Sequence, residues 1–245
     1  MLNLKNKIIL ITGATGGIGQ ALAQNLAQQD TRLILLGHNS TKLKKLTTSL
    51  GKNYDSFVCN LTNSAEVKKL AATIKNKYKK IDILINIAGI GIYKKFPNIT
   101  DEEWKTSFDL NVGGYFLITK YFLPLLEKSD ISLVLNIGSG AGVIPMKERS
   151  LYCATKFAVR GMTLSLAAEY ENKKPHFCLI TLGSVLTPFA NVPLEEKIKK
   201  NKNGTAFFTP QWVATKLTEI MQDEKRKVEY ILYPSDYGFG TWKKP

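Results

Sequence analysis

The sequence predicts an α/β fold, a doubly wound sheet of about seven parallel strands with helices on both faces. Three observations predict it. Short apolar runs alternate with longer amphipathic stretches, the pattern of β-α-β units whose strands are buried on both faces. The first apolar run leads straight into a glycine-rich turn and then a helical pattern, as where a strand hands the chain to its crossover helix. The chain has 245 residues, 44% of them hydrophobic, enough for one sizeable core, with no long Pro-, Gly- or Ser-rich linker and no internal repeat to divide it. One domain over residues 1–245 is expected.

Taken in order, the candidate strands are Lys7 to Thr12, Arg32 to Leu36, Ser56 to Cys59, Ile81 to Ile85, Ser132 to Ile137, Phe177 to Thr181 and Glu229 to Leu232. The first helix follows the glycines on Ala21, Leu22, Asn25 and Leu26. After the third strand, Val67, Leu70, Ala71, Ile74 and Tyr78 keep the i, i+3, i+4, i+7 spacing of one buried face, with Lys68, Lys69, Lys75 and Lys77 elsewhere on the helix. Asn63 with Glu66, and Thr100 with Glu103, stand at capping-box spacing and mark two helix starts. The least regular stretch is 187–210, where Pro188, Pro193, the Lys-rich run Glu195 to Lys202 and Gly204 break any single pattern. Such a segment is expected to form a flap over a site.

Composition excludes several classes. With 10% aromatic and 22% charged residues the chain is neither disordered nor fibrous as a whole. Cys59, Cys153 and Cys178 show no C-x-x-C spacing, which argues against a disulfide framework or a zinc site and favours a reducing compartment. The apolar run Ile8 to Ile11 is too short for a signal-peptide core, and no stretch is long enough to span a bilayer, so a cytoplasmic protein is expected. The 34 Lys and Arg against 20 Asp and Glu give +14, which raises nucleic acid, an anionic membrane or an acidic substrate as partners.

The turn reads Thr12-Gly13-Ala14-Thr15-Gly16-Gly17-Ile18-Gly19. Between a strand and a helix, such glycines allow a tight turn and close approach of backbone to a pyrophosphate, whose charge the helix N-terminus stabilises. A turn that serves packing alone is the plainer alternative. The spacing G-x-x-x-G-x-G is one residue longer than the general dinucleotide fingerprint. With Asn86-Ile87-Ala88-Gly89 after the fourth strand, Asn111 in Leu110-Asn111-Val112, Ser139 after the fifth strand and Tyr152-Cys153-Ala154-Thr155-Lys156 as Y-x-x-x-K, it resembles the short-chain dehydrogenase/reductase family over nearly the whole chain. A Rossmann-type fold and an NAD(P)-dependent oxidoreductase are what the resemblance implies.

Carbonyl reduction with a nicotinamide needs a polarising donor and a general acid near the hydride. Tyr152 can be that acid, and Lys156, four residues on, shares its helix face and is expected to lower its pKa by favouring the phenolate. The resemblance implies that Ser139 hydrogen-bonds the substrate oxygen, that Asn111 holds a water connecting Lys156 to solvent, and that Lys156 also binds the nicotinamide ribose. Alone, such residues are ordinarily helix neighbours, fillers and turn residues; their joint order and spacing speak for the chemistry.

Residues expected around the cofactor are Gly13, Thr15, Gly16, Gly17, Ile18 and Gly19 in the turn, His38 and Asn39 after the second strand, Asn60 and Leu61 after the third, and Asn86, Ala88 and Gly89 after the fourth. Tyr152, Lys156, Gly183, Val185 and Thr187 complete the set, the last three from Leu182-Gly183-Ser184-Val185-Leu186-Thr187, where the family often has P-G-x-V-x-T. The resemblance puts Asn60, where the family commonly has Asp, at the adenine edge; a simple turn role is an equal alternative. No acid stands in Gly37-His38-Asn39-Ser40, where a carboxylate would bind the ribose of NAD and repel a 2'-phosphate, so NADP(H) is expected over NAD(H).

Phe189, Val192, Leu194, Phe207 and Phe208, with Ile90, Ile92, Val143, Ile144 and Met146, suggest an apolar pocket, with a 3-oxoacyl thioester, a steroid-like or xenobiotic ketone and a sugar-type carbonyl as open substrate classes. A redox-inactive nucleotide sensor or a nucleic-acid-binding regulator on the same fold is the rival class; no nucleic-acid-binding motif is legible, and the lysines spread over many helices. The resemblance implies a homodimer or homotetramer through the helices of Thr106 to Leu123 and Tyr152 to Glu171. Lys197, Lys199, Lys200 and Lys202, in the flap, are expected to attract an acidic substrate or carrier.

Overall fold

In the computed structural model, which describes residues 1–51, 54–190 and 192–241, the apolar runs form one parallel sheet. Its strands are β1 (Ile8–Thr12), β2 (Arg32–Gly37), β3 (Tyr54–Val58), β4 (Ile83–Asn86), β5 (Leu133–Ile137), β6 (His176–Leu182) and β7 (Glu229–Leu232), in the order β3-β2-β1-β4-β5-β6-β7. The helices are α1 (Gly17–Ala27), α2 (Ser40–Leu50), α3 (Ser64–Lys77), α4 (Asp101–Phe108), α5 (Gly114–Leu126), α6 (Ser150–Glu169), α7 (Leu194–Lys202) and α8 (Pro210–Gln222).

Strand alternation divides the core into two layers. Ile9, Ile11, Leu33, Leu35, Ile83 and Ile85 pack with Leu22, Leu26, Val213, Leu217 and Met221 of α1 and α8. Leu10, Ile34, Leu84 and Val134 face the other way, onto Val67, Leu70 and Ile74 of α3 and Ile118 and Phe122 of α5. Because both faces are covered, the strands read as apolar runs and not as alternating ones.

All seven expected strands exist, with shifted ends. Ile81 lies outside β4 because its N–H turns to the Leu125 carbonyl at the end of α5, 3.0 Å away. The Thr100–Glu103 capping box is formed in both directions, at 3.1 Å and 3.0 Å. The other box is only half formed: Asn63 accepts from the N–H groups of Ala65 and Glu66, but the Glu66 carboxylate accepts from the Asn60 N–H, 3.0 Å away. Segment 187–210 is more regular than its sequence suggests. Pro193 opens α7, whose lysines follow an acidic first turn of Glu195 and Glu196.

In register, Thr12 of β1 lies opposite Leu36 and Asn86, and Asn86 opposite Asn136. The strand order reverses between β1 and β4, so the crevice at the carboxyl ends of these strands is the switch point where an open α/β sheet binds ligands.

Candidate active site

The crevice begins with Thr12, whose hydroxyl accepts from the N–H groups of Ile87 and Ala88 at 3.1 Å and 3.3 Å and so ties the end of β4 to that of β1. Gly13 follows at φ 66°, so close to this loop that a Cβ would lie 2.8 Å from Ala88 backbone. At Gly19 a Cβ would meet the Gly13 carbonyl at 2.3 Å. Gly16, by contrast, has only the Gly13 carbonyl within reach, at 3.4 Å, and no side chain caps the N-terminus of α1. The first-turn N–H groups, including those of Gly17 and Ile18, face an open cradle that suits a diphosphate. Across it, Thr187 packs so near Gly17 that a Cβ there would lie 2.4 Å from its methyl carbon.

The rim next to β2 carries no carboxylate over Gly37 to Ser40. His38 is exposed, Thr15 packs on Gly37, and Asn39 caps α2 by accepting from the Lys42 N–H at 2.9 Å.

Several expected cofactor contacts have other employment in the structure. Asn60 makes a turn, accepting from the N–H and hydroxyl of Thr62 at 3.1 Å and 2.9 Å. Leu61 is core, packed on Gly114. Asn86 is fully buried and donates to Asn136 at 2.8 Å and Thr119 at 3.3 Å; Asn136 donates onward to Thr163 at 2.9 Å. This side chain clamps β4 to β5, α5 and, through Asn136, α6. Gly183 gives its N–H to Leu232, and Val185 accepts from the Thr187 N–H, each at 2.8 Å. Ala88 and Gly89 line the crevice beside Gly13 and Asn111.

The four expected catalytic side chains converge on the edge formed by β5 and α6. Tyr152 and Lys156 stand one turn apart on α6, 7% and 5% exposed. The Lys156 ammonium lies 5.8 Å from the centre of the Tyr152 ring and 5.6 Å from that of Tyr115. It donates to the Ile137 carbonyl at 2.9 Å. Ser139 follows β5; its oxygen accepts from the Ala141 N–H at 3.1 Å, which fixes its rotamer, and its side chain neighbours the Tyr152 hydroxyl. The turn sits tightly on α6: a Cβ on Gly142 would meet the Lys156 carbonyl at 2.6 Å.

Electrostatically the pair differs from the sequence expectation. Burial pushes the Tyr152 hydroxyl above its ordinary pKa, the neighbouring Ser139 side chain opposing in part. Burial lowers Lys156 to about 8. Lys156 donates to the Ile137 carbonyl and lies beside the tyrosine ring.

Asn111 is fully buried. It sits in a π-helical turn, Asp109–Gly113, joining α4 to α5. Its amide NH2 donates to the Ile90 carbonyl at 2.9 Å and to Thr155 at 3.1 Å, and its oxygen accepts from the Ile90 N–H at 2.8 Å. The side chain pins the loop after β4 to α6.

Two rings enclose the tyrosine: Phe189, expected in the pocket, and Tyr93, which sequence reasoning missed. Tyr93 and Phe189 present edges to the Tyr152 ring at 5.6 Å and 5.7 Å between centres. Phe189 and Ala190 also fill the space above Gly91. The loop that carries them is held by Lys197, which donates to the carbonyls of Thr187 at 2.7 Å and Phe189 at 3.4 Å. A cavity of about 450 Å³ lies there, lined by Gly89 to Gly91, Pro188 to Ala190, Val192 and Pro193. Of the expected pocket residues it takes Ile90, Phe189 and Val192. Phe208 instead belongs to the core, stacked on Trp212 at 4.1 Å, and Phe207 is buried beside it. Of the four flap lysines, Lys197 serves the loop backbone and Lys200 pairs with Glu196 at 2.6 Å, so the basic cluster is half spent internally.

Fold and crevice together define an α/β protein of the dinucleotide-binding class. The sequence pattern of the family described as short chain dehydrogenase matches residues 7–201. The chain is 33% identical to the 3-oxoacyl-[acyl-carrier-protein] reductase FabG of Rickettsia bellii, over 81% of this chain and 78% of that protein. It is 30% identical to the NADP-dependent 3-hydroxy acid dehydrogenase YdfG of Shigella flexneri, over 85% and 89%. A solved structure, the closed form of serine dehydrogenase complexed with NADP+, superposes with a TM-score of 0.86 at 27% identity, covering 94% of this chain and 95% of that one. This chain belongs to the short-chain dehydrogenase/reductase family and is an oxidoreductase acting on CH–OH groups with NAD or NADP.

Proposed function

We propose that the protein interconverts a carbonyl and a secondary alcohol of a small molecule using NADP(H), with Tyr152 as general acid and base. The observation that carries this reading is the buried pair Tyr152 and Lys156, one turn apart on α6 with the ammonium 5.8 Å from the centre of the tyrosine ring, beside Ser139 and the glycine cradle.

The cradle fits the cofactor's diphosphate: the N–H groups of Gly17 and Ile18 would hold it, Gly13, Gly16 and Gly19 keep side chains out, and Thr187 and Val185 would border the nicotinamide. When bound, the nicotinamide supplies or accepts the hydride. The chain's own residues manage the oxygen. Ser139, its rotamer fixed by Ala141, donates to the substrate oxygen. Tyr152 keeps its proton at neutral pH because burial disfavours the phenolate, so it is loaded to protonate that oxygen. As the proton leaves, the developing phenolate gains the nearby Lys156 charge, which is present below about pH 8. Phe189 and Tyr93 cover the ring and exclude water.

The absence of a carboxylate over Gly37 to Ser40, with hydroxyls at Thr15 and Ser40, favours NADP, and relatives described as NADP-dependent support the same choice. The KM for NADPH is expected below that for NADH; the reverse order would overturn the preference. A panel of carbonyls assayed with both reduced cofactors tests the activity itself. We read the protein as a single cytoplasmic domain with residues 187–210 as its flap, self-associating through α5 and α6, where Phe116 and Phe157 are 48% and 46% exposed. No helix among the described residues is long and apolar enough to cross a membrane.

A further inference from the structure

Lys156 is the one buried lysine or arginine among the described residues, and no carboxylate among them pairs with it. A charge taken out of water needs compensation from what surrounds it. The Ile137 carbonyl provides one hydrogen bond, at 2.9 Å, and the Tyr152 ring lies with its centre 5.8 Å away. The third group is Tyr115 of α5, which the chemistry above leaves unused. Its ring centre is 5.6 Å from the ammonium, within the range of a cation–π contact, and desolvation strengthens such contacts.

Tyr115 is built into that place. It is 1% exposed and packs with Val159 of α6 and Leu179 of β6. The other large buried side chains of α5, Ile118, Phe122, Leu125 and Leu126, are apolar, so packing alone would be met by Phe here. The Tyr115 hydroxyl donates to the Ile137 carbonyl at 3.3 Å, the same oxygen that accepts from Lys156. One oxygen at the end of β5 therefore tethers both the ring and the ammonium. The charged groups on the elements packed against α6 are engaged elsewhere. Asp109 in the π-helical turn pairs with Lys105, Glu229 of β7 pairs with Arg160, and Glu103 of α4 pairs with Lys94. Asp101 and Glu102 of α4 are exposed, and Cys178 of β6 lies in the other core layer. Tyr233, after β7, stands over Gly140 in the turn that follows β5.

We propose that Tyr115 is a positioning residue for the reaction: its ring face holds the Lys156 ammonium charged and beside Tyr152, and its hydroxyl, tied to Ile137, keeps that face turned to the charge. The proposal rests on the Tyr152–Lys156 chemistry above and adds to it a group from a second helix.

The test uses the full-length protein with Tyr115→Leu, Tyr115→Phe and a series of phenylalanines at the same position carrying one, two and three ring fluorines. Fluorination keeps the shape of the ring and progressively drains its face of negative charge. Lysine labelled with carbon-13 at Cε lets NMR follow the titration of Lys156, whose signal is the one missing from Lys156→Met. The rate of carbonyl reduction with NADPH is measured over the same pH range. Tyr115→Leu is expected to lower the pH at which Lys156 gives up its proton by about one pH unit. Its rate should then be about tenfold below wild type near about pH 9 and within about twofold near about pH 6, where the lysine is charged in both proteins. Tyr115→Phe, which keeps the face and loses the tether, should lie between them, and fluorination should move it stepwise towards Tyr115→Leu. Because that series changes shape so little, it reads the contact even where Tyr115→Leu does not fold. A Lys156 titration indifferent to the ring, or a rate change that is the same at every pH, would overturn the proposal and leave Tyr115 as packing. A titration that moves with the ring while the wild type reduces no carbonyl would uphold the hold of Tyr115 on Lys156 and overturn the reading on which its catalytic use rests.

Discussion

Lys156 has exchanged water for the Ile137 carbonyl at 2.9 Å and the faces of Tyr115 and Tyr152. Burial lowers its pKa from 10.5 to about 8, so the folded state penalises the charged form, by roughly 3 kcal/mol at neutral pH. Below about pH 8 both states are protonated and the penalty is full; between 8 and 10.5 the folded lysine releases its proton first and stability from this group rises. Lys156→Met is therefore expected to melt roughly 5 °C higher than wild type at pH 7, with the gap closing towards pH 10.5, while losing activity. Calorimetric scans of both proteins across that range check it. For the wild type, the rate of reduction should decline as pH rises through about 8, where the ammonium is lost. At this scale the sequence was informative only where a residue type and its spacing declare a role. Tyr152, Lys156, Ser139 and the glycines were legible because Y-x-x-x-K and G-x-x-x-G-x-G are local patterns. Tyr115 and Tyr93 were not, since their meaning comes from an ammonium and a ring that fold against them from α6. The assigned partners of Asn86 and Asn111 were missed for the same reason: a buried amide's hydrogen bonds are set by what folds opposite it.

Among the elements, strands were easy to find and the 187–210 segment was not. The five inner strands are runs buried on both faces, whereas α7 shows no buried side chain at all, and its helical character lies in an acidic start and a basic end. Its anchor is one residue: Lys197 is half-buried, its pKa lowered by burial and then by Arg149, and it holds two loop carbonyls. Removing it should free the loop that carries Phe189 without unfolding the sheet, because no core residue of either layer lies on α7. Amide exchange in Lys197→Met is expected to quicken at Thr187, Phe189, Ala190 and Val192 and to remain at wild-type rates in β1, β4 and β5. Equal acceleration throughout would mean that the loop does not open by itself.

For the molecule as a whole, the +14 charge resolves into pieces. It is the excess left after cations such as Lys77 and Lys80 pair with Asp55 and Asp82 at 2.6 Å and 2.9 Å, and much of that excess lies on exposed helix faces such as that of α3. The exposed Phe116 and Phe157 on α5 and α6 are expected to be covered in a dimer or tetramer; a monomer in sedimentation equilibrium at micromolar concentration would contradict self-association. The central claim, that Tyr152 moves the proton, is tested most directly by Tyr152→Phe, which removes one oxygen and leaves the ring that packs on Tyr93 and Phe189. With NADPH affinity measured alongside, the account predicts cofactor binding close to wild type and carbonyl reduction slowed by roughly 10²- to 10⁴-fold; turnover within a few-fold of wild type would contradict it.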